Sequence, residues 1–188
     1  MSSNSILRGT TVLLLGVFIT GMLGCVSSYQ NAPPTRSIVK DADLVSANYR
    51  AADALLAHVP WLKEKREPLL SATFVDINDL EISSALGRVI GEQIGSRFAQ
   101  EGFTVVEVKM RSNIFVAQQA GEFMLSRSIR EISQSQNAAA VIVGTYAIGR
   151  QSVFVNARLI RATDNLVLSA YDYVLPMGPD VRALVANQ

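Results

Sequence analysis

Apolar and polar positions along the chain recur with the periods of helices and strands. Helical spacing marks residues 43–59 and 83–101, and a shorter helix follows Ser126 or Ser128 and ends near Asn137. Strand-like runs occupy residues 71–77, 103–108, 139–146, 152–160 and 166–174. A strand, a helix and a strand of this length close most easily as a right-handed parallel crossover. We therefore predict an α/β (α+β) fold, in which helices pack on a mixed sheet made of a βαβ unit and a C-terminal antiparallel meander.

The connections between these elements are less regular. Pro60 is predicted to stop the first helix, and the mixed-sign charges of residues 61–68 predict a solvated connection. Residues 114–116 are apolar enough for a short edge strand. A last short helix is predicted to begin at Pro179, because proline suits the first position of a helix.

Three glycines lie four residues apart in the helix predicted over residues 83–101. They are Gly87, Gly91 and Gly95. An interior glycine costs about 0.5–1 kcal/mol relative to alanine, so three on one face need a compensating reason. The favoured interpretation is a close approach of the helix to its own sheet, and the alternative is a contact between copies in a ring.

The first residues have the pattern of an export signal that ends at the only cysteine. Arg8 is the single charge before Cys25, residues 11–19 form an apolar core, and Gly24 leaves room for a peptidase. The apolar run is short for a spanning helix, which needs about 20 residues. The Cys25 thiol could carry a diacylglycerol thioether, and we therefore predict a lipoprotein signal.

This signal departs from the usual bacterial lipoprotein pattern at two positions. Met22 stands where leucine is usual, and Leu23 stands where a small residue is usual. The alternative is an ordinary signal anchor in which Cys25 is a buried apolar residue. Val26 rather than aspartate follows the cysteine, which by analogy with the enterobacterial rule favours the outer membrane.

Composition and the signal together predict three segments. Residues 1–24 are the signal peptide, residues 25–40 a polar, proline-containing flexible tether, and residues 41–188 a single domain. Removing residues 1–24 takes away one base and no acid, and 17 basic and 16 acidic side chains in the whole chain then leave a balanced charge. A general nucleic-acid binder would need a basic face. We therefore predict a lipid partner and no nucleic acid.

The side chains needed for catalysis are scarce. His58 is the only histidine, and we place it on the inner side of the first helix as a packed or half-exposed imidazole. Zinc needs three or four nitrogen or sulfur ligands, which one histidine and one cysteine cannot supply. The glycine spacing fits no phosphate-binding loop. We therefore predict no catalytic, cofactor or metal residues and no enzyme activity.

Short blocks spread over residues 44–175 carry a resemblance. The blocks are Ala47-Asn48-Tyr49-Arg50-Ala51-Ala52-Asp53, Ala72-Thr73-Phe74-Val75-Asp76, Leu86-Gly87-Arg88, Glu101-Gly102-Phe103, Leu125-Ser126-Arg127, Val143-Gly144-Thr145-Tyr146 and Val155-Asn156-Ala157-Arg158-Leu159-Ile160. In this order they resemble the FlgO family of flagellar outer-membrane lipoproteins. The pattern is more loosely similar to the N-terminal domain of TolB and to the secretion lipoprotein CsgG.

The resemblance implies a periplasm-facing domain, anchored in the outer membrane through acylated Cys25 and required for flagellar assembly or motility as a structural accessory. It implies FlgP- or FlgT-like ring proteins as partners, and a homo-oligomer stays open. It implies a helix end at Gly102, a close approach at Gly144, and assembly contacts at Tyr146 and Arg158, with local packing as the alternative for those two. The alternative function is an envelope or secretion-complex assembly lipoprotein of the TolB or CsgG type.

Overall fold

The structure, a computed structural model, describes residues 40–65, 67–108, 115–117 and 123–186. They lie within one compact unit, residues 37–188. The predicted signal, residues 1–24, and the predicted tether up to residue 39 lie outside the described residues and stay predictions.

The described elements follow one another with short connections. The helices are α1 Leu44–Ala57, α2 Pro60–Lys65, α3 Ala85–Gln100, α4 Arg127–Ser135 and α5 Pro179–Ala186. The strands are β1 Leu69–Ala72, β2 Val75–Asp76, β3 Val105–Val108, β4 Phe115–Ala117, β5 Phe123–Leu125, β6 Ala140–Ile148, β7 Ser152–Arg161 and β8 Val167–Pro176.

A mixed sheet organises these elements, as predicted. Its strand order is β3-β1-β6-β7-β8, and the short β2 also pairs with β6. Strand β1 is parallel to β3 and to β6, whereas β6, β7 and β8 form an antiparallel meander. A separate antiparallel pair joins β4 to β5, which confirms a short strand near residues 114–116. The predicted α+β architecture is therefore confirmed.

Helices α1, α3 and α5 cover one side of the sheet, which we call the helix-covered face. Its core includes Leu55, Ile90, Phe98 and Val155, all with no exposed surface. On the other side, Ile129 of α4 packs on a second, smaller apolar cluster over the parallel half of the sheet. The rest of that side, over β7 and β8, we call the open face. Its residues are Phe154, Asn156, Arg158, Ala170, Asp172 and Val174.

The three glycines of α3 bring this helix against its own sheet. A Cβ atom on Gly87 would lie 2.2 Å from the carbonyl oxygen of Phe74, and one on Gly91 would lie 2.6 Å from that of Ala72. At Gly95 the added atom would lie 2.9 Å from the Ser71 hydroxyl. All three glycines are buried. The close-approach interpretation is confirmed, and these positions offer no surface to a second copy.

The predicted ends of α3 are also confirmed. The Ser84 hydroxyl accepts a hydrogen bond from the Gly87 N–H, so Ser84 is the N-cap. After the helix, Gly102 has a φ of +91°, which glycine adopts without strain. Of the two serines considered for α4, Ser126 is the cap.

Three predictions of local structure need correction. Helix α1 ends at Ala57, and Pro60 begins α2 rather than a loop, because proline fits a first helical position and Leu62 can be buried. His58 is exposed at the end of α1, not on its inner side. The first strand is interrupted before Val75, because the N–H of Phe74 donates to the Gly87 carbonyl instead of to a neighbouring strand.

Candidate functional site

Tyr146, for which an assembly contact and local packing were both left open, lies in the core. Its side chain has no exposed surface, and its hydroxyl accepts a hydrogen bond of 3.0 Å from the N–H of Ser84. Ser84 begins α3, so Tyr146 connects the central strand β6 to the start of that helix. The local-packing alternative therefore describes Tyr146, and the side chain forms no part of the surface.

Gly144 lies next to this hydrogen bond on β6. A Cβ atom there would lie 2.0 Å from a ring carbon of Phe74 and 2.4 Å from the carbonyl oxygen of Asn156. Phe74 is itself fully buried. The ring therefore occupies the volume that a side chain at residue 144 would need, which confirms the predicted close approach at this glycine.

Arg158 lies on the open face, in the middle of β7. Its register partners are Val143 on β6 and Ala170 on β8. The side chain is half-buried, and no ion pair of its guanidinium is present in the described part of the chain. Phe154 on the same face is 50% exposed and Val174 is 52% exposed. Arg158 therefore belongs to a mixed polar and apolar surface, and its role in assembly stays a prediction.

A buried polar cluster links α1, α3 and β8, and the sequence reasoning missed it. The side-chain amide of Asn48 donates to Gln93 at 2.7 Å, and the Tyr173 hydroxyl donates to the Asn48 side-chain oxygen. Asn48 has no exposed surface. Burial, with the nearby Tyr171 as a lesser cause, raises the pKa of Tyr173 well above its usual range. A polar residue at an inward position of α1 was the available signal.

A cleft opens where β1 and β3 end, next to α3, and it was also not predicted. Its volume is 410 Å³. Its lining residues are Ser71, Ala72, Thr73, Glu81, Ser83, Arg88, Gly91, Glu92, Glu107 and Val108. They come from three separate stretches of the chain, so no local pattern marks them. The cleft combines one guanidinium with three carboxylates, a set suited to polar contacts.

The described residues also bear on the histidine, on metal binding and on membrane-spanning helices. The His58 ring lies 3.0 Å from the Ala54 carbonyl oxygen at the exposed end of α1. Within residues 40–65, 67–108, 115–117 and 123–186, no group of histidine, cysteine and acidic side chains is arranged to hold a metal ion. In the same ranges, no helix has the length and apolarity that a membrane span requires. Cys25 lies outside the described residues.

Three solved structures are similar to this chain at low identity. The LpoB C-terminal domain from Salmonella enterica has a TM-score of 0.47 and 13% identity, and the alignment covers 72% of this chain and 99% of that one. A PelC dodecamer chain from Paraburkholderia phytofirmans gives 0.42 and 14%, with 64% and 83% covered. The lipoprotein GNA1162 from Neisseria meningitidis gives 0.38 and 14%, with 61% and 83% covered. These scores are too low to transfer a function.

The sequence comparison is more specific. No curated protein matches the chain. A family model described as "FlgO protein" matches residues 49–180. This range begins in α1 and ends in α5, and so it contains the whole sheet and the open face. Because the match covers more than half of the chain, the protein belongs to the FlgO family.

Proposed function

We propose that the protein is an outer-membrane lipoprotein that faces the periplasm and acts as a structural accessory of the flagellum. The observation that carries this proposal is the family match over residues 49–180, which includes every strand of the main sheet. The arrangement of Arg8, the apolar residues 11–19 and Cys25 supports the lipid anchor. The role is one of position and binding rather than of catalysis.

The physical basis of such a role is local concentration. One acyl chain binds a bilayer only weakly, so stable anchoring needs at least two. Copies held on one leaflet meet at a much higher effective concentration than free copies, which strengthens weak lateral contacts without any new interaction. The domain would then present its surface to flagellar ring proteins of the FlgP or FlgT kind.

The anchor is tested by labelling cells with radioactive palmitate and separating their outer membranes. We expect the wild-type chain to be labelled and to fractionate with the outer membrane. The Cys25→Ser variant removes only the thiol nucleophile, so it should lose both the label and the fractionation. A wild-type chain that takes up no label and stays in the soluble periplasmic fraction contradicts the proposed anchor.

The process is tested separately with a deletion strain. We expect reduced swimming with fewer or defective flagella, restored by the wild-type gene and not by Cys25→Ser. Normal swimming with intact flagella, together with an envelope or secretion defect, would instead support the TolB- or CsgG-type alternative. The palmitate result does not depend on this outcome, so the anchor and the flagellar role can fail independently.

A further inference from the structure

Strand β8 forms the end of the main sheet among the described residues. The sheet order ends at β8, which pairs with β7 on one side. Beyond the end of the strand, the N–H of Met177 donates to the Gln151 carbonyl. Hydrogen-bonded pairs alternate along an antiparallel ladder. Every second residue before Met177 therefore directs its backbone N–H and C=O groups toward β7. Tyr173 and Tyr171 are two of these residues.

The intervening residues therefore point their backbone N–H and C=O groups away from the sheet. They are Ala170, Asp172 and Val174, and all three side chains are exposed on the open face. No hydrogen bond of these outward backbone groups is present among the described residues. Such a row of groups is a template for another strand.

The sequence of β8 has little of the usual protection of an edge strand. Charged side chains, lysine above all, an interior proline or a bulge normally discourage pairing at an edge. Here Asp172 is the only charge in the strand, Pro176 is its last residue, and the irregularity of the ladder lies at its start, opposite Leu159 and Ile160. The stretch from Ser169 to Leu175 is regular and ready to accept a partner strand.

If β8 pairs with β8 of a second copy, one register brings opposite charges of the two copies together. In an antiparallel pair centred on Tyr171, Ala170 lies opposite the partner's Asp172. Arg158 already lies opposite Ala170 on the other side. Three side chains then lie side by side across the strands, and we call such a line a row: Arg158, the small Ala170 and the partner's Asp172. The Cα atoms of Arg158 and the partner's Asp172 are about 10 Å apart at the usual strand spacing. A long arginine side chain can cross a single alanine to reach a carboxylate.

Neighbouring registers lack this complementarity. Centred on Asp172, the pair would place two carboxylates directly opposite each other, which is unfavourable. Centred on Ala170, it would place the two Arg158 side chains in one row. Centred on Tyr173, it would place Pro176, which has no N–H, opposite the partner's Ala170.

We propose that β8 is the interface between two copies of this chain, paired antiparallel about Tyr171, with Arg158 of each copy bound to the partner's Asp172. The pair forms about four backbone hydrogen bonds between Ala170 and Asp172 of the two strands, and Tyr171 meets its own counterpart on the helix-covered side. The sheet then runs through both copies. This inference rests on the geometry of β8 and does not depend on a flagellar role.

The register is tested by cysteine cross-linking of the full chain in the cells that produce it. The envelope is oxidised with copper phenanthroline, and dimers are measured on non-reducing gels. In the Tyr171→Cys variant, the new cysteines of the two copies lie opposite each other, and their Cα atoms are close enough for a disulfide to form. Val174→Cys is more exposed to oxidant than residue 171, because Val174 is 52% exposed and Tyr171 is half-buried, yet in this register it lies about 20 Å from its own counterpart. We expect about tenfold more dimer from Tyr171→Cys, with the wild-type chain and its Cys25 as background.

A second pair of variants covers the case in which Tyr171→Cys accumulates poorly. Ala170→Cys and Asp172→Cys change exposed side chains, and the proposed register places them opposite each other. Cells that produce both, with different tags, should give more mixed dimer than either variant gives alone. Equal cross-linking at residues 171 and 174, or a mixed yield no higher than the separate ones, contradicts the register.

Charge exchange tests the ion pair itself. Arg158→Asp places two carboxylates in each row, and Asp172→Arg places two guanidinium groups there. Like charges brought together at an interface are strongly unfavourable, so each single change should lower cross-linking at Tyr171→Cys by about tenfold. The double change restores opposite charges and should recover the yield. Unchanged cross-linking in the single variants, or no recovery in the double variant, overturns the proposal.

Discussion

The helix-covered face and the open face of the sheet leave very different amounts of room around their side chains. On the helix-covered face, α3 approaches so closely that a Cβ on Gly87 or Gly91 would overlap a backbone carbonyl. On the open face, Phe154 and Val174 each expose about half of their surface. The close packing of the first face therefore determines the fold, whereas the side chains of the second remain accessible and can be substituted at little cost.

The difference also predicts where substitutions matter. Close-packed interiors respond to the addition of a single heavy atom, because neighbouring backbone cannot move aside cheaply. Exposed strand positions usually change the free energy of unfolding by no more than about 0.5 kcal/mol. Pairs of similar substitutions on the two faces measure this contrast directly.

Gly144→Ala should give the largest effect of the substitutions that add or remove a single heavy atom. The added Cβ would lie 2.0 Å from the Phe74 ring and 2.4 Å from the Asn156 carbonyl oxygen, so we expect a loss of about 3 kcal/mol in the free energy of unfolding. Ala170→Ser adds one heavy atom on the open face and should cost at most about 0.5 kcal/mol. Urea unfolding of the purified full chain, followed by circular dichroism, measures both. Equal losses in the two variants would contradict the contrast between the faces.

Tyr146→Phe removes one oxygen from the helix-covered side. The N–H of Ser84, which is fully buried, would lose the hydroxyl that accepts its hydrogen bond. An unsatisfied buried donor costs about 1–3 kcal/mol, and we expect a loss near 1.5 kcal/mol.

Tyr49→Phe is the matched control for this change. The Tyr49 hydroxyl accepts a hydrogen bond from Gln100 near the surface, where water can replace it. We expect a loss of at most about 0.5 kcal/mol in the same urea experiment. A loss at Tyr146 no larger than that at Tyr49 would show that the Tyr146 hydroxyl does not stabilise the start of α3.

The position of Tyr146 shows what the sequence can and cannot reveal. A capping serine at residue 83 or 84, the apolar stripe of α3 and the continuous apolar run of β6 are local patterns, and the structure confirms them, with Ser84 as the cap. The environment of Tyr146 depends on Ser84, which lies 62 positions away in the chain. A tyrosine near the end of a strand has no local feature that distinguishes a buried hydroxyl from an exposed one.

The cleft and the short helix α2 were missed for the same kind of reason. The cleft takes Ser71, Arg88 and Glu107 from β1, α3 and β3, so it exists only after the parallel strands have paired. Helix α2 has one buried side chain, Leu62, among charged neighbours. Six residues are too few to show a helical period.

Tyr173 should make the free energy of unfolding depend on pH in the alkaline range. Burial raises its pKa above the usual value of about 10, so the unfolded chain loses this proton at lower pH than the folded chain. The stabilisation is complete well below pH 10 and declines as the pH rises through that value toward the raised pKa of the folded state. Between pH 9 and 10.5 we expect a decline of about 0.8 kcal/mol from this group.

Tyr173→Phe isolates that contribution from those of the other tyrosines. The variant should lose less stability than the wild-type chain between pH 9 and 10.5, by about the same 0.8 kcal/mol, when both are unfolded in urea at each pH. The hydrogen bond to Asn48 is absent in the variant at every pH, so it changes the level of the curve and not its slope. Parallel curves for the two proteins would show that the buried hydroxyl does not titrate differently on folding.

Phe154→Thr should give the smallest effect and tests the open face most directly. Phe154 is 50% exposed and lies between Ala147 and Val174 in the register of β6, β7 and β8. Threonine suits an exposed strand, so we expect a change within about 0.5 kcal/mol. Phe74→Thr removes a ring with no exposed surface and should cost about 3–5 kcal/mol. If Phe154→Thr instead cost as much as Phe74→Thr, the open face would be part of the core, and its exposed aromatic ring could not be counted as surface available to a partner.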